Sequence, residues 1–218
     1  VRLISGVREE RNRQIAEDGE ADHVRGLTKA LKALQTATAP TGGRRQRKMT
    51  KASPFYAVLL MDGDRIGNLL SEHGARVSPA LVTFTGRVRD IVRSEDGLLI
   101  YAGGDDVLAL LPIHTALATA DVLAQAFRQA FRDHGFDPPP TISAGLIFAH
   151  YTHPLGDVMR MAHEALDQGA KEGNGRDSLA IVVAKRGGDA AEWVSAWDLA
   201  DGVRAVDELR SLTHSFAE

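Results

Sequence analysis

The sequence predicts an α+β domain built on one antiparallel sheet, and three observations carry that prediction. Short apolar runs at 55–61, 97–102, 106–111, 141–148 and 178–183 have the length and continuity of strands. The longer stretches between them, 65–94, 114–134 and 157–169, repeat apolar residues every three or four positions, as helices do. Two of the runs also meet at Gly103-Gly104-Asp105-Asp106, where paired glycines can supply the positive φ angles of a tight hairpin turn.

Taken in order, residues 9–35 read as a helix with Ile15, Val24, Leu27, Leu31 and Leu34 on one stripe. Residues 36–54 are rich in Thr, Gly, Pro and basic side chains and read as a linker. Within it Arg44, Arg45, Arg47, Lys48 and Lys51 form a basic run, either a solvated tether or a contact for RNA phosphates. The folded domain begins with the buried-strand pattern of 55–61. The helix over 65–94 is expected to break near Ser78-Pro79, with Ser78 as cap and Pro79 in the first position of the second piece. In the helix over 114–134, Leu117, Val122, Leu123, Ala126, Phe127 and Phe131 supply the apolar surface, and His134-Gly135 ends it. Pro138 to Pro140 lead into the strand over 141–148. Val158, Ala162, Ala165 and Leu166 face one way on the next helix, and Gly173, Asn174 and Gly175 turn the chain into the last strand.

The order is β-α-β-β-α-β followed by an extra α-β, and its first six elements are the ferredoxin-like pattern, a sheet with helices on one face. The tail reads as an amphipathic helix outside the sheet core, through Trp193, Trp197, Leu199, Val203, Val206, Leu209 and Leu212. The expected organisation is a basic helical leader and linker at 1–53, the α+β domain at 54–190 and a helical C-terminal extension at 191–218.

Composition narrows the setting. The chain is 44% apolar and 25% charged, ordinary for a globular domain. No run approaches the roughly 20 apolar residues that span a bilayer, so no membrane partner is expected. Cysteine is absent, which excludes disulfides and cysteine zinc sites and suits a cytoplasmic protein. Residues 1–51 hold 12 Lys/Arg against 6 Asp/Glu, whereas the whole chain carries a net charge of −3, so a basic leader precedes an acidic body. An acidic body does not favour broad duplex binding; it suits carboxylate capture of divalent cations.

Those carboxylates are placed by the topology. In a β-α-β-β-α-β sheet the first strand lies beside the hairpin, which brings Asp62, in Asp62-Gly63-Asp64, near Asp105 and Asp106. Three such carboxylates repel one another unless cations neutralise them. Two Mg2+ or Mn2+ ions, held by Asp62, Asp105, Asp106 and the carbonyl of Gly63, would activate an attacking ribose hydroxyl and stabilise leaving pyrophosphate. Gly103 and Gly104, lacking Cβ atoms, would let a nucleotide lie against the backbone. The alternative is a Gly-Gly hairpin whose aspartates face water.

The ordered motifs Leu60-Met61-Asp62-Gly63-Asp64-Arg65-Ile66-Gly67, Tyr101-Ala102-Gly103-Gly104-Asp105-Asp106, Ile142-Ser143-Ala144-Gly145, Ala149-His150-Tyr151 with Pro154-Leu155, Ala170-Lys171 with Gly175-Arg176-Asp177, and Ala184-Lys185-Arg186-Gly187-Gly188 carry a family resemblance. Together they resemble the GGDD palm of the large polymerase-cyclase subunit of type III CRISPR effector complexes, over roughly 54–190. The resemblance implies a palm similar to diguanylate (GGDEF-like) and adenylate cyclase domains. It implies ATP joined through 3′–5′ bonds into cyclic oligoadenylate, switched on when the complex, with its other subunits and guide RNA, binds target RNA. Carried over by position, Asp62 and Asp105 ligate metal, Asp106 completes the site, and Ser143 and Lys171, with Asp64, contact nucleotide. Ser143 can equally be a satisfied strand hydroxyl, and Lys171 an exposed lysine in a polar turn.

The departures from that family are specific. Only one palm is evident, where the family's subunit carries two with nucleotides at their interface, so the chain is expected to be a fragment or a reduced relative that needs a second palm, for instance through homodimerisation. Asp22-His23 reverses the order of an HD nuclease motif and reads as surface. His150 and His153 lack nearby ligands for a metal and read as loop or core residues. Two other functions stand beside ATP cyclisation. One is a diguanylate cyclase-like GTP enzyme, although Asp106-Val107 replaces the usual Glu-Phe; the other is a non-catalytic nucleotide-sensing or assembly palm.

Overall fold

A computed structural model describes residues 53–184, 190–199 and 202–215. The helix and linker expected over 9–35 and 36–54, the basic run and Asp22-His23 lie outside the described residues, apart from Ser53 and Pro54.

Strand β1 (Phe55–Gly63) is the centre of a six-stranded sheet ordered β2-β3-β1-β4-β5-β6. Its apolar run is continuous because both faces are covered. Ala57, Leu59 and Met61 point into one core and Val58 into the other. Helix α1 (Ile66–Ser94) buries Val77, Ala80, Phe84, Val88 and Val92, one face at helical spacing. Its irregularity sits at His73, whose φ of −132° interrupts the helix, and not at Ser78-Pro79; Pro79 lies inside the second piece. β2 (Leu98–Gly103) and β3 (Asp106–Leu111) form the hairpin, with Gly103 opposite Asp106. Of its two glycines only Gly104 takes positive φ, 68°. β2 is an edge strand with exposed Leu98, Ile100 and Tyr101, and its register slips by one residue between Leu99 and Tyr101.

Helix α2 (Ala116–Asp133) packs beside α1, with Phe84 edge-on to Phe127 at 5.0 Å. Its buried stripe is Ala116, Ala120, Leu123, Ala124, Phe127, Ala130 and Phe131, while Val122, expected on the apolar face, is exposed. Gly135 closes the helix at φ 77°, with Phe136 N–H returning to Phe131 O.

β4 (Ile142–His150) runs antiparallel to β1, then helix α3 (Leu155–Glu164) continues as a π-helix over Ala165–Gly173. This pair covers the second face of the sheet. It lies so close to β4 that a Cβ on Gly145 would stand 2.6 Å from Ala162 O. The ferredoxin-like six elements thus keep their helices on one face, and the extra α-β unit covers the other. β5 (Ser178–Ala184) pairs parallel with β4.

The C-terminal expectation needs correction. Ala190–Ala196 is strand β6, antiparallel to β5, with Trp193 opposite Ile181. Trp197 is fully buried in the main core and donates its indole N–H to Ile142 O at 2.8 Å. Two tryptophans four residues apart suit a helix face, but they also suit a strand residue followed by a residue turned inward, and exposed β5 backbone favours the strand. Among the described residues of this segment, the α-helix is α4 (Ala205–Ser215). No helix of the described residues is long and apolar enough to cross a membrane.

Candidate active site

β1 delivers Asp62 to the sheet edge, where the register pairs Met61 with Val107 on one side and Asp62 with Ser143 on the other. That puts the end of β1 against the hairpin turn. A Cβ added at Gly63 would stand 2.8 Å from Asp105 Cβ and 2.9 Å from Asp105 Oδ2, so only glycine lets Asp105 approach the β1 backbone. Gly103 makes room differently. A Cβ there would collide with the Tyr101 hydroxyl, so its bare α-carbon accommodates a neighbouring ring. Gly104 faces open space and borders a cavity of about 490 Å³ with Leu81, Val82, Thr85, Gly86 and Arg89. Thr85 on α1 donates to Gly104 O at 3.2 Å and fastens the turn to the helix.

The carboxylates perturb one another. Burial pushes the Asp106 carboxyl up to about 6, assisted by a hydrogen bond and charge repulsion from Asp62 and by the charge of Asp105, with Lys171 opposing. Burial likewise raises Asp105, with Asp62 adding to it, against its own backbone N–H and Lys171. Lys171, near the end of the π-helix, forms an ion pair with Asp62, its side chain 15% exposed. A π-helix in this position is a common way of turning one side chain into a functional site.

Two expected nucleotide contacts lie elsewhere. Asp64 is only 6% exposed, and its carboxylate accepts hydrogen bonds from Thr141 Oγ1 at 2.7 Å, Ser143 Oγ at 2.8 Å and Asp177 N at 2.9 Å. Ser143 is fully buried and donates to Asp64. Both therefore support the site from beneath, because β4 turns the Ser143 hydroxyl inward and the strand end folds Asp64 over it. His150 is buried, edge-on to the Phe55 ring at 5.1 Å and bonded to Thr152, as expected of a loop or core histidine.

The surrounding ionic network was not evident from sequence. Arg128 of α2 bridges Asp177 and Asp198, and Arg204 joins Asp198 to Asp121.

The oxygen-only donor set fits a hard divalent cation. Among the described residues, no three acidic or histidine side chains are already disposed around a common ion position, with Asp62 leaning on Lys171. Mg2+ does not require such a trio, since one or two carboxylates with water and phosphate oxygens suffice.

Fold and site together define an α+β palm with an acidic hairpin at its edge. A model of the second palm domain of Cas10/Cmr2 matches residues 55–180, and the chain belongs to that family. The CRISPR system Cmr subunit Cmr2 of Pyrococcus furiosus is 36% identical over 176 residues, 66% of this chain and 20% of that protein. The chain thus spans about a fifth of the length of that curated relative. Among solved structures, the apo state of Type III-B Cmr-beta superposes with a TM-score of 0.52 at 17% identity, covering 76% of this chain and 29% of that one. The guanylyl cyclase Cya2 gives a TM-score of 0.46 at 16% identity, over 75% of this chain and 99% of its own. The resemblance read from the motifs is confirmed, and it is sharpened to the second palm.

Proposed function

We propose that this palm is the catalytic half of a metal-dependent nucleotidyl cyclase that joins ATP by 3′–5′ bonds into cyclic oligoadenylate. In this reading it works inside a type III CRISPR effector complex that responds to target RNA. The observation that carries the reading is the convergence of Asp62, Asp105, Asp106 and Lys171 on one sheet edge in a member of the Cas10/Cmr2 second-palm family.

Asp62, Asp105 and Asp106 would hold Mg2+ or Mn2+, with the Gly63 carbonyl beside them; the bound metal supplies activation of the ribose hydroxyl and charge neutralisation at the pyrophosphate. The chain's own groups do the rest. Lys171 sets a point charge where phosphate oxygens would lie. Gly104 leaves the turn open to the adjoining cavity, which gives a nucleotide a place against the backbone. A second palm, from the remainder of a longer subunit or from a second copy, would complete the other side.

The test is Asp105→Ala with Asp106→Ala in the assembled complex with target RNA and ATP. Loss of oligoadenylate by at least a hundredfold is expected, as for removal of metal or electrostatic groups; undiminished product sinks the assignment. A second reading, a nucleotide-sensing palm without turnover, draws on the Lys171–Asp62 pair, which engages one of the carboxylates. It predicts ATP binding with no product even with partners and RNA present.

A further inference from the structure

The turn after the π-helix holds a conformation that its residues do not favour. Arg176 at φ 76° and Asp177 at φ 51° are successive non-glycine residues in the left-handed region. Such residues persist where surrounding contacts over-determine them. Four contacts do so here. Arg176 N–H donates to Ala170 O at 3.1 Å, Asp177 N–H to the buried Asp64 carboxylate at 2.9 Å, and Trp197 N–H to Asp177 O at 3.0 Å. The Arg128 guanidinium, 13% exposed, clamps the Asp177 carboxylate. The bend closes back on the end of the π-helix, where Ala170 accepts from it and Lys171 stands next in the chain. Its far side is anchored through Arg128 to Asp198 and through Arg204 to Asp121 on α2.

We propose that Asp64 and Arg128 are positioning residues: they hold the Arg176-Asp177 bend left-handed and so set Lys171 against Asp62 at the acidic hairpin. The partners found for Asp64 are Thr141, Ser143 and Asp177, and those for Arg128 are Asp177 and Asp198; no bond from either reaches Asp105 or Asp106. Their effect on the site passes through the bend. The identity of the carboxylates also matters. Asp64 must accept from three donors at once, which an amide cannot do with its single oxygen. Arg128 reaches two acidic groups with one planar fork, a fixed geometry that the point charge of lysine does not reproduce. The importance of Lys171 for a nucleotide rests on the function proposed above; its placement by the bend does not.

The experiment uses the full chain with lysine side chains isotopically labelled, the Lys171 resonance being assigned through Lys171→Arg. Asp62→Asn calibrates the shift that marks loss of its ion pair. Arg128→Gln and Asp64→Asn are each expected to move the Lys171 signal toward that position and to weaken ATP binding, titrated with Mn2+, about tenfold (about 1.4 kcal/mol). Adding Asp177→Gly to Arg128→Gln is expected to restore both, because glycine takes positive φ without strain. A folded Arg128→Gln protein whose Lys171 signal stays at its original place overturns the proposal, as does failure of Asp177→Gly to restore it. Should Asp64→Asn not fold, the arginine variant alone decides. If the unaltered chain binds no ATP, the nucleotide function fails while the Lys171 signal still decides the positioning role.

Discussion

Asp62 and Asp64 stand two residues apart on the same strand end and meet opposite fates. Asp64 is sealed beneath the sheet edge, its charge met by two hydroxyls and one backbone N–H. Asp62 sits at the rim, paired with one lysine and pressed against Asp106, whose carboxyl is raised to about 6. A carboxylate met by donors on every side is a structural group, whereas one set beside other carboxylates is only partly compensated by its single lysine. The difference separates the part of the Asp-Gly-Asp motif that is locked into the fold from the part that the proposed function would use.

The largest way to break this comparison is on stability. Asp64→Ala strands one buried and two half-buried donors and is expected to cost about 2–3 kcal/mol, at roughly 1–3 per unsatisfied group and less where water can reach. Asp62→Ala, at a half-buried rim where loss of the Lys171 pair is offset by relief of repulsion with Asp106, is expected to change stability by less than about 1 kcal/mol. Urea unfolding of the two variants measures both, and equal losses would erase the distinction. Next is Gly63→Ala, where the new methyl meets Ile66 Cγ1 at 2.6 Å and Asp105 Cβ at 2.8 Å. Overpacking of this kind costs about 1–3 kcal/mol, and here it also displaces Asp105, so metal-dependent nucleotide affinity is expected to fall with stability. Ser143→Ala removes one neutral donor from Asp64 and is expected to cost about 1 kcal/mol while leaving divalent-cation binding unchanged, in keeping with a supporting role.

The smallest effect is on pH dependence. Burial first, then the hydrogen bond and charge of Asp62 and the charge of Asp105, raise Asp106 from 3.8 to about 6, with Lys171 opposing. The folded chain therefore holds this proton more tightly than the unfolded one. The associated stability is fully present below about pH 4 and is lost as pH rises through about 6. Asp106 is exposed, so solvent screening keeps the change small. A slight fall in thermal midpoint across that window in metal-free buffer, absent in Asp106→Asn, is the expected result.

Sequence showed the rim more readily than its foundation. Asp105 and Asp106 are legible because a Gly-Gly turn between apolar runs fixes a hairpin, and Asp62 because topology places β1 beside it. The socket around Asp64 is not, since its donors come from residues 141, 143 and 177, and no local spacing joins them. The Trp193–Trp197 interval fits helix and strand alike, and the requirement of β5 for a pairing partner decided for strand. In α1 a proline drew the expected break to Ser78-Pro79, whereas the backbone yields at His73, directly before Gly74.

The slip in β2 between Leu99 and Tyr101 has a bearing on how this protein behaves in a crowd. An outer strand bearing exposed Leu98, Ile100 and Tyr101 offers a template onto which a stray extended chain can add, hydrogen bond by hydrogen bond. The extra residue throws that row of amides and carbonyls out of step, so an incoming strand can match one half of it but not both. An irregularity of this kind in an outer strand is one of the ways sheets blunt a greasy margin against edge-to-edge growth.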